Sequence, residues 1–317
     1  MLYHAFSRMA RIGVLFTLAT AIHAQALLVD RASGVGTAWV GVPKGFIGDH
    51  FSVGSAGDVW VIDALSVWVK SEDPAARLGD IYESMKLLGG IEAQLPAAGE
   101  PAQPDCACHN LAVLKSGLLR SHANAATTAD IRISAAGPGI WRIDFDDLKW
   151  SIPGGVPIQF GVLGTGRSGG GRHAWLNSAI SDTSSHDLRL FDDSGRLLGR
   201  YNSESAPRDG GVGFNIQVRG HKSVPVAVRS EGGTLEMVLR AGNGFDPRQA
   251  NPDTLRIGPN KALPAAIQEW TGQGSKELVL QFRRDEIGSR PGELTVCVTG
   301  LERNGIPFEG CDVLPKR

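Results

Sequence analysis

Apolar and polar residues alternate with a period of two through most of this chain. The pattern is clearest in residues 141–145, 158–162, 214–218, 235–239 and 278–282. Such alternation predicts antiparallel strands that turn one face toward a core and the other toward solvent. Turn residues such as Pro138-Gly139 and Gly242-Asn243-Gly244 separate the stretches. The sequence therefore predicts an all-β protein built from jelly-roll-like antiparallel sandwiches.

A disulfide-bonded hairpin is predicted near the end of the chain. Arg303-Asn304-Gly305 fits a three-residue loop whose glycine supplies a positive φ. Counting outward places Glu302 opposite Ile306 and Cys297 opposite Cys311. The same register assigns two faces, with Leu294, Val296, Val298 and Phe308 toward the core and Thr295, Cys297, Thr299, Glu309 and Cys311 outside. We expect a Cys297–Cys311 disulfide, which is typical of an oxidising compartment.

The first 26 residues have the features of a secretory signal peptide. Arg8 and Arg11 precede an apolar run over residues 12–22, which is short for a membrane span, and Ala24-Gln25-Ala26 offers small residues for cleavage. We expect secretion to the periplasm or the extracellular space, with no membrane span left after cleavage. Removal of the two arginines changes the formal net charge from −1 to −3, and a near-neutral chain has no electrostatic footprint for nucleic acid.

The remaining length suggests two domains, because a domain usually has about 100 to 200 residues. The polar stretch 203–211, with its glycines and proline, is the clearest boundary. We predict an N-terminal sandwich over residues 27–204 and a C-terminal module over residues 205–317. Residues 78–88 are ambiguous, because Leu78, Ile81, Met85 and Leu88 have helical spacing while residues 81–88 also fit a strand.

The second half resembles a C-terminal β-module found on many secreted bacterial and archaeal proteins. The motifs that carry the resemblance are Val224-Pro-Val-Ala-Val228, Asn251-Pro-Asp-Thr-Leu-Arg-Ile-Gly-Pro259, Glu277-Leu-Val-Leu-Gln-Phe-Arg283 and Gly305-Ile-Pro-Phe-Glu-Gly-Cys-Asp312. The family often has an acidic calcium-binding loop before its Leu-Val-Leu strand. The matching stretch 269–277 keeps only Glu269 and Glu277 and adds Lys276, which argues against calcium here. The sequence predicts no other cofactor.

The first half is similar to secreted choice-of-anchor or sorting-signal proteins of unknown function. The motifs are Ile81-Tyr-Glu-Ser-Met-Lys-Leu-Leu-Gly-Gly90, Trp141-Arg-Ile-Asp-Phe-Asp-Asp-Leu-Lys-Trp150, Pro153-Gly-Gly-Val-Pro-Ile-Gln-Phe-Gly-Val162 and His173-Ala-Trp-Leu-Asn177. The likeness favours a strand over residues 81–88. It implies a scaffold and a compartment, but no chemistry.

A glycine-rich loop over residues 164–172 precedes a short aromatic and polar segment. We predict a ligand-binding edge formed by Arg167, Arg172, His173, Trp175 and Asn177. Among the tryptophans, Trp175 and Trp270 are expected to be exposed, whereas Trp60 and Trp141 alternate with apolar residues and are expected in the core.

Cys106-Ala-Cys108-His109 is the most ambiguous cluster of side chains. Three donors within four residues cannot easily close a tetrahedral metal site, and the spacing is not Cys-x-x-Cys. On compartment grounds we expect Cys106 and Cys108 to form a local or an intermolecular disulfide rather than bind a metal.

The sequence carries no catalytic signature. His186 lies beside Ser184, Ser185 and Asp187, but neighbours on one loop do not form a triad. The acids at residues 144, 146 and 147 are expected to be solvated on a strand rim. We expect a non-catalytic binding, adhesion or matrix protein whose partner is an extracellular polysaccharide or a surface protein. A secreted hydrolase of glycans or peptides, with His173 or His186 facing a distant carboxylate, is the alternative.

Overall fold

The computed structural model describes residues 25–31, 35–41, 46–71, 75, 77–91, 112–118, 131–166, 173–178, 188–191, 197–201, 213–231, 233–272, 275–288 and 295–314. The strands in chain order are β1 (Ala26–Asp30), β2 (Val35–Gly41), β3 (Phe46–Phe51), β4 (Val59–Ser71), β5 (Tyr82–Ile91), β6 (Ala112–Leu118), β7 (Ile131–Gly137), β8 (Ile140–Phe145), β9 (Trp150–Pro153), β10 (Ile158–Gly166), β11 (His173–Ser178), β12 (Leu188–Phe191), β13 (Leu197–Tyr201), β14 (Gly213–Phe214), β15 (Ile216–Ser223), β16 (Val226–Glu231), β17 (Thr234–Arg240), β18 (Arg256–Ile257), β19 (Ala266–Gly272), β20 (Ser275–Arg283), β21 (Thr295–Leu301) and β22 (Pro307–Val313). A one-turn helix, α1 (Leu78–Ile81), and 3₁₀ turns at Pro247–Gln249 and Pro252–Thr254 complete the described elements.

The all-β prediction is confirmed. Four of the five alternating stretches lie within single strands, and residues 214–218 run from the end of β14 into β15. In β17 the inward residues Leu235, Met237 and Leu239 are fully buried. Trp60 and Trp141 are buried in the core as predicted. Alternation identifies these strands because side chains on a pleated strand point to opposite faces in turn, so that burial of one face requires an apolar residue at every second position.

The described strands form three sheets. A twelve-stranded sheet follows the path β14-β11-β4-β15-β22-β21-β18, and β1, β2, β7, β8 and β9 pair beside this path. A six-stranded sheet has the order β13-β12-β3-β10-β5-β6, and a four-stranded sheet the order β16-β17-β20-β19. The pairing is mainly antiparallel, as the sequence predicts, and the contact of β15 with β22 is parallel. This contact arises because two strands that are distant in sequence meet without a hairpin between them.

The first hydrophobic core lies between the twelve-stranded and the six-stranded sheets. Leu65 and Val67 of β4, with Ile143 and Phe145 of β8, belong to the same cluster as the inward residues of β5 and β10. Phe51 packs edge-on against Trp150, with ring centroids 6.2 Å apart. Interdigitation of two inner faces is what makes this part a sandwich.

The second core lies between the four-stranded sheet and the end of the twelve-stranded sheet. Residues of β17 and β20 share this cluster with Val296, Val298 and Phe308 of the hairpin β21–β22. Strand β15 gives Ile216 and Val218 to the first core, and Val224 belongs to the second. One sheet therefore serves both cores, and the division of the chain into domains 27–204 and 205–317 stays a prediction.

The ambiguous segment 78–88 contains both predicted structures, one after the other. One helical turn, α1, leads directly into β5, so the preference for a strand is right from Tyr82 onward and wrong for Ile81. Leu78 is fully buried and Tyr82 is 3% exposed. The ring of Tyr82 packs over Gly164 of β10, where an added Cβ would lie only 2.2 Å from a ring carbon.

Burial of Tyr82 is expected to make stability fall at alkaline pH. Burial raises the pKa of its hydroxyl well above the ordinary value of about 10. The folded state therefore holds a proton that the unfolded chain loses, and stability declines as pH rises above about 10, by up to about 1.4 kcal/mol per pH unit. Urea unfolding between about pH 8 and pH 11 should show a shallower decline for Tyr82→Phe, and equal slopes for both proteins would contradict this expectation.

The hairpin predicted at the end of the chain is confirmed in register. Gly305 has a φ of 88°, and its N–H donates to the carbonyl of Glu302 at 2.8 Å. Cys297 pairs with Cys311 in the ladder, and the two form a disulfide. The core face is as predicted for Val296, Val298 and Phe308, all at most 2% exposed. Leu294 lies outside the described residues.

Candidate functional site

A row of polar residues crosses five neighbouring strands on one face of the twelve-stranded sheet. The residues face each other pair by pair in the order Arg132, Asp144, Ser66, Gln217 and Asp30 on strands β7, β8, β4, β15 and β1. Residues directly opposite in a ladder project from the same face. Since the alternate residues of these strands, such as Leu65 and Phe145, form the first core, the polar row lies on the outer face. We call these five residues the polar row.

The centre of the polar row is buried, and Ser66 and Asp144 form a hydrogen-bonded network with Arg142. Ser66 Oγ donates to Asp144 Oδ1 at 2.6 Å, and Arg142 donates to the same oxygen at 2.7 Å and to Ser66 Oγ at 3.1 Å. Asp144 is 7% exposed, so the expectation of a solvated rim acid is wrong for this residue. The physical reason is that Arg142 and Ser66 replace the water that a buried carboxylate would otherwise need.

Trp68 of β4 lies beside this network on the same face. It is paired with Arg142 across the ladder, and the guanidinium carbon lies 5.2 Å from the centre of the indole ring. The guanidinium is thus held both by a carboxylate and by an aromatic face. Trp68 is only half-buried, and it lies beside an arginine whose direction is fixed.

The two ends of the polar row are more exposed and carry planar polar groups. Arg132 binds Asp146 through two nitrogens, at 2.5 and 3.1 Å. This hydrogen bond, with further attraction from Asp146 and Asp144, raises the pKa of Arg132 above its usual value. At the other end Gln217 donates to Asp30 at 3.3 Å and accepts from Arg219 at 3.2 Å. Such groups can exchange hydrogen bonds with a ligand rich in hydroxyls.

The sequence predicts a different ligand-binding segment, of which the structure describes only the backbone of β11. His173, Trp175 and Asn177 lie in β11, where Trp175 pairs with Val69 of β4 on one side and Val40 of β2 on the other. This strand is therefore interior to the sheet and not a free edge. The side chains of β11 are outside the description, as are Arg167 and Arg172, so ligand contact at these residues stays a prediction.

Other residues singled out in the sequence also lie outside the description. They are Cys106, Cys108, His109 and His186, together with the side chain of Trp270. The pairing of Cys106 and Cys108 therefore stays a prediction.

The stretch that matches the family's calcium loop belongs to two paired strands. Glu269 in β19 is paired with Leu278, and Glu277 in β20 is paired with Trp270. Glu277 accepts from Arg240 at 3.1 Å. Calcium favours several converging carboxylates, whereas these two acids belong to opposite strands and one of them is held by an arginine.

A histidine that the sequence does not single out meets a carboxylate from a distant strand. His221 Nδ1 lies 2.8 Å from Asp63 Oδ2, and both side chains are largely buried. The pair lies where the register of β4 and β15 shifts, and the carbonyl of Asp63 accepts from the N–H of Leu148. Because this arrangement fixes a bulge between two central strands, we assign it a structural role.

Cys297, Glu309 and Cys311 are the described donor atoms that lie close enough together to hold a metal ion. Both sulfur atoms are in the disulfide. A disulfide sulfur is not a thiolate, and the thiolate is the form that binds metals. The two cysteines therefore act as a covalent link in the oxidised protein.

These observations define the class as an all-β protein with sandwich-like packing and a disulfide-bonded hairpin. No family model matches the chain, and no curated protein matches it. Among solved structures, a Marsupial T cell receptor chain is similar at 11% identity, over 89% of this chain and 100% of that chain, with a TM-score of 0.20. A likeness at that level carries no argument. Within the described ranges, none of the helices is long and apolar enough to cross a membrane.

Proposed function

We propose that this is a secreted, non-catalytic binding protein of the cell exterior, and that the outer face around Trp68 and the polar row binds carbohydrate. The predicted signal peptide supports the compartment. The disulfide is in keeping with it, because such bonds persist in oxidising surroundings. Adhesion and matrix attachment are the roles that such binding would serve.

The observation that carries the proposal is the half-buried indole of Trp68 beside a fixed row of charged and amide groups. An aromatic side chain offers an apolar face together with low conformational entropy, which suits stacking against a sugar ring. Arg142 is held in place by Asp144 and Ser66 before any ligand arrives. Preorganised donors lose little entropy on binding, so a relatively flat surface can still bind a polysaccharide.

The test is a glycan-array screen of the oxidised protein with three single variants. Trp68→Ala is expected to reduce binding at least tenfold, which corresponds to about 1.4 kcal/mol. Trp175→Ala tests the segment predicted from sequence. Leu263→Ala changes an apolar side chain that is 58% exposed in the other half of the molecule, and is expected to leave binding unchanged.

The outcomes separate the candidates. If no glycan binds the wild-type protein, carbohydrate recognition is wrong. If Trp175→Ala abolishes binding and Trp68→Ala does not, the ligand binds at β11 rather than at the polar row. Circular dichroism of each variant checks that a lost signal reflects a lost contact and not a lost fold.

A further inference from the structure

Lys222 lies with its ammonium group buried between the two hydrophobic cores. Its side chain is 7% exposed, because it belongs to the inward face of β15 that also carries Ile216 and Val218. A charged side chain is unusual on such a face. It is paired with Trp60 of β4 on one side and with Phe308 of β22 on the other. A lysine is almost never this buried unless partners surround it.

Two carboxylates from distant parts of the chain meet this ammonium group. Asp58 Oδ1 lies 3.5 Å from Lys222 Nζ, and Glu302 Oε1 lies 3.4 Å from it. The Asp58 and Glu302 side chains are 11% and 6% exposed. Lys222 Nζ also donates to the carbonyl of Gly244 at 3.2 Å. We call Lys222, Asp58 and Glu302 the buried triad.

Asp58 is held in a setting that differs from that of an ordinary salt-bridge partner. Its second oxygen, Oδ2, accepts from the backbone N–H of Ser55 at 2.8 Å. The indole Nε1 of Trp60 is buried and has no hydrogen-bond partner within the described part of the chain. A Cβ added at Gly54 would lie 2.2 Å from this Nε1 and 2.4 Å from Asp58 Oδ2, so the indole N–H and the carboxylate oxygen flank the same point. The Ser55 N–H is thus one fixed donor of the kind that stabilises a developing oxyanion.

The loop that covers the triad approaches closely only because it contains glycine. At Gly244 the φ is +69°, and an added Cβ would overlap Asp58 Oδ1 at 1.6 Å. This loop and the two cores leave the triad largely out of water. In such a place a buried ion pair gains little net stability, since desolvation of each charge costs several kcal/mol.

We propose that Lys222 and Asp58 form an intramolecular isopeptide bond in the folded protein, with Glu302 as the proton carrier. Glu302 takes one proton from the Lys222 ammonium group, and the freed amine attacks Cγ of Asp58. Negative charge collects on Oδ2, which accepts a hydrogen bond from Ser55 N–H. Glu302 then passes its proton to Oδ1, a second proton moves from the newly bonded nitrogen to the same oxygen, and the Cγ–Oδ1 bond breaks to release water. The ammonium and the carboxylate become one amide and one water molecule, and no oxidant or reductant is needed.

The energetics favour condensation at this position. Amide formation is unfavourable between free molecules in water, but groups held in contact by a fold can reach effective molarities on the order of 10⁵ to 10⁸ M. The reaction also replaces three buried charges by one, which removes most of the desolvation cost. Glu302 is kept in place by Asn304, whose amide donates to Oε2 at 3.2 Å.

The test is the intact mass of the purified, fully denatured and reduced protein. We expect it to be lower than the sequence mass by one water molecule, and a tryptic digest should yield a branched peptide that joins Lys222 to Asp58. Lys222→Arg keeps the positive charge but removes the nucleophile, so it should restore the full mass. Glu302→Gln should leave most of the protein unlinked, because the proton carrier is absent.

The chain supplies a matched control. Lys149 Nζ lies 3.4 Å from Asp147 Oδ1, nearly the distance found in the triad, but both side chains are more than 60% exposed. Lys149→Arg should leave the mass deficit unchanged, and no link should map to Asp147. A folded wild-type protein with the full sequence mass would overturn the proposal, whatever the variants do. A branched peptide through Glu302 instead of Asp58 would overturn the assignment of the electrophile.

Discussion

Truncation of Phe308 to alanine is expected to lower the free energy of unfolding by about 3 to 5 kcal/mol. Its ring is 1% exposed, packs against Phe245 with centroids 4.9 Å apart, and fills the space above Gly300. Removal of the ring would leave a cavity in the second core. Its neighbours, the ring of Phe245 and the backbone at Gly300, are packed in place and cannot move in to fill the space. Urea unfolding followed by tryptophan fluorescence measures the loss.

Val313→Ala is the matched control for this prediction. Val313 lies on the same strand, but its side chain is 60% exposed, so the change should stay within about 0.5 kcal/mol. Phe308→Leu should lie between the two, because it keeps part of the buried volume. Equal losses for Phe308→Ala and Val313→Ala would mean that the hairpin does not share the second core.

Removal of the Cys297–Cys311 disulfide is expected to cost about 3 kcal/mol. The cysteines are separated by 14 positions, and closing a loop of about 15 residues in the unfolded chain removes that much conformational freedom in the chain-entropy model. Because the effect is on the unfolded state, the double variant Cys297→Ala, Cys311→Ala should also show a steeper dependence on urea. Peptide mapping without reductant should recover the two cysteines joined.

The role of this disulfide can be separated from that of other cysteines. Reductant should bring the wild-type protein close to the double variant, and should leave the double variant unchanged. A wild-type protein that unfolds at the same urea concentration with and without reductant would rule out the stabilising role. A loss that persists in the double variant would assign the effect to Cys106 and Cys108.

The structural features that could be predicted from sequence are those that depend on residues close together in the chain. In the last hairpin, Gly305 fixes the turn, the turn fixes the register, and the register places Cys297 opposite Cys311. Alternation in β17 and β20 identifies their buried faces for the same reason. Each of these inferences spans fewer than twenty residues, over which backbone geometry alone relates one residue to the next.

The buried triad could not be predicted in this way. Asp58, Lys222 and Glu302 come from three separate segments, and each taken alone looks like an ordinary surface charge. Only the ladders of β4 with β15 and of β15 with β22 bring them together. The same holds for Asp144, whose alternation with Ile143 and Phe145 predicts an outward residue but says nothing of Ser66 on the neighbouring strand. Long-range pairing decides burial at both places.

The order of strands in the twelve-stranded sheet has a consequence for synthesis on the ribosome. β4 ends at residue 71, but the strand that covers residues 60–67 along one edge is β15, which begins at residue 216. A nascent chain therefore carries an open, apolar strand edge until more than two thirds of it has emerged, and such edges invite pairing between molecules. Because the sheet is completed late, we expect this protein to fold after translation, with a chaperone that keeps nascent chains from pairing with one another until then.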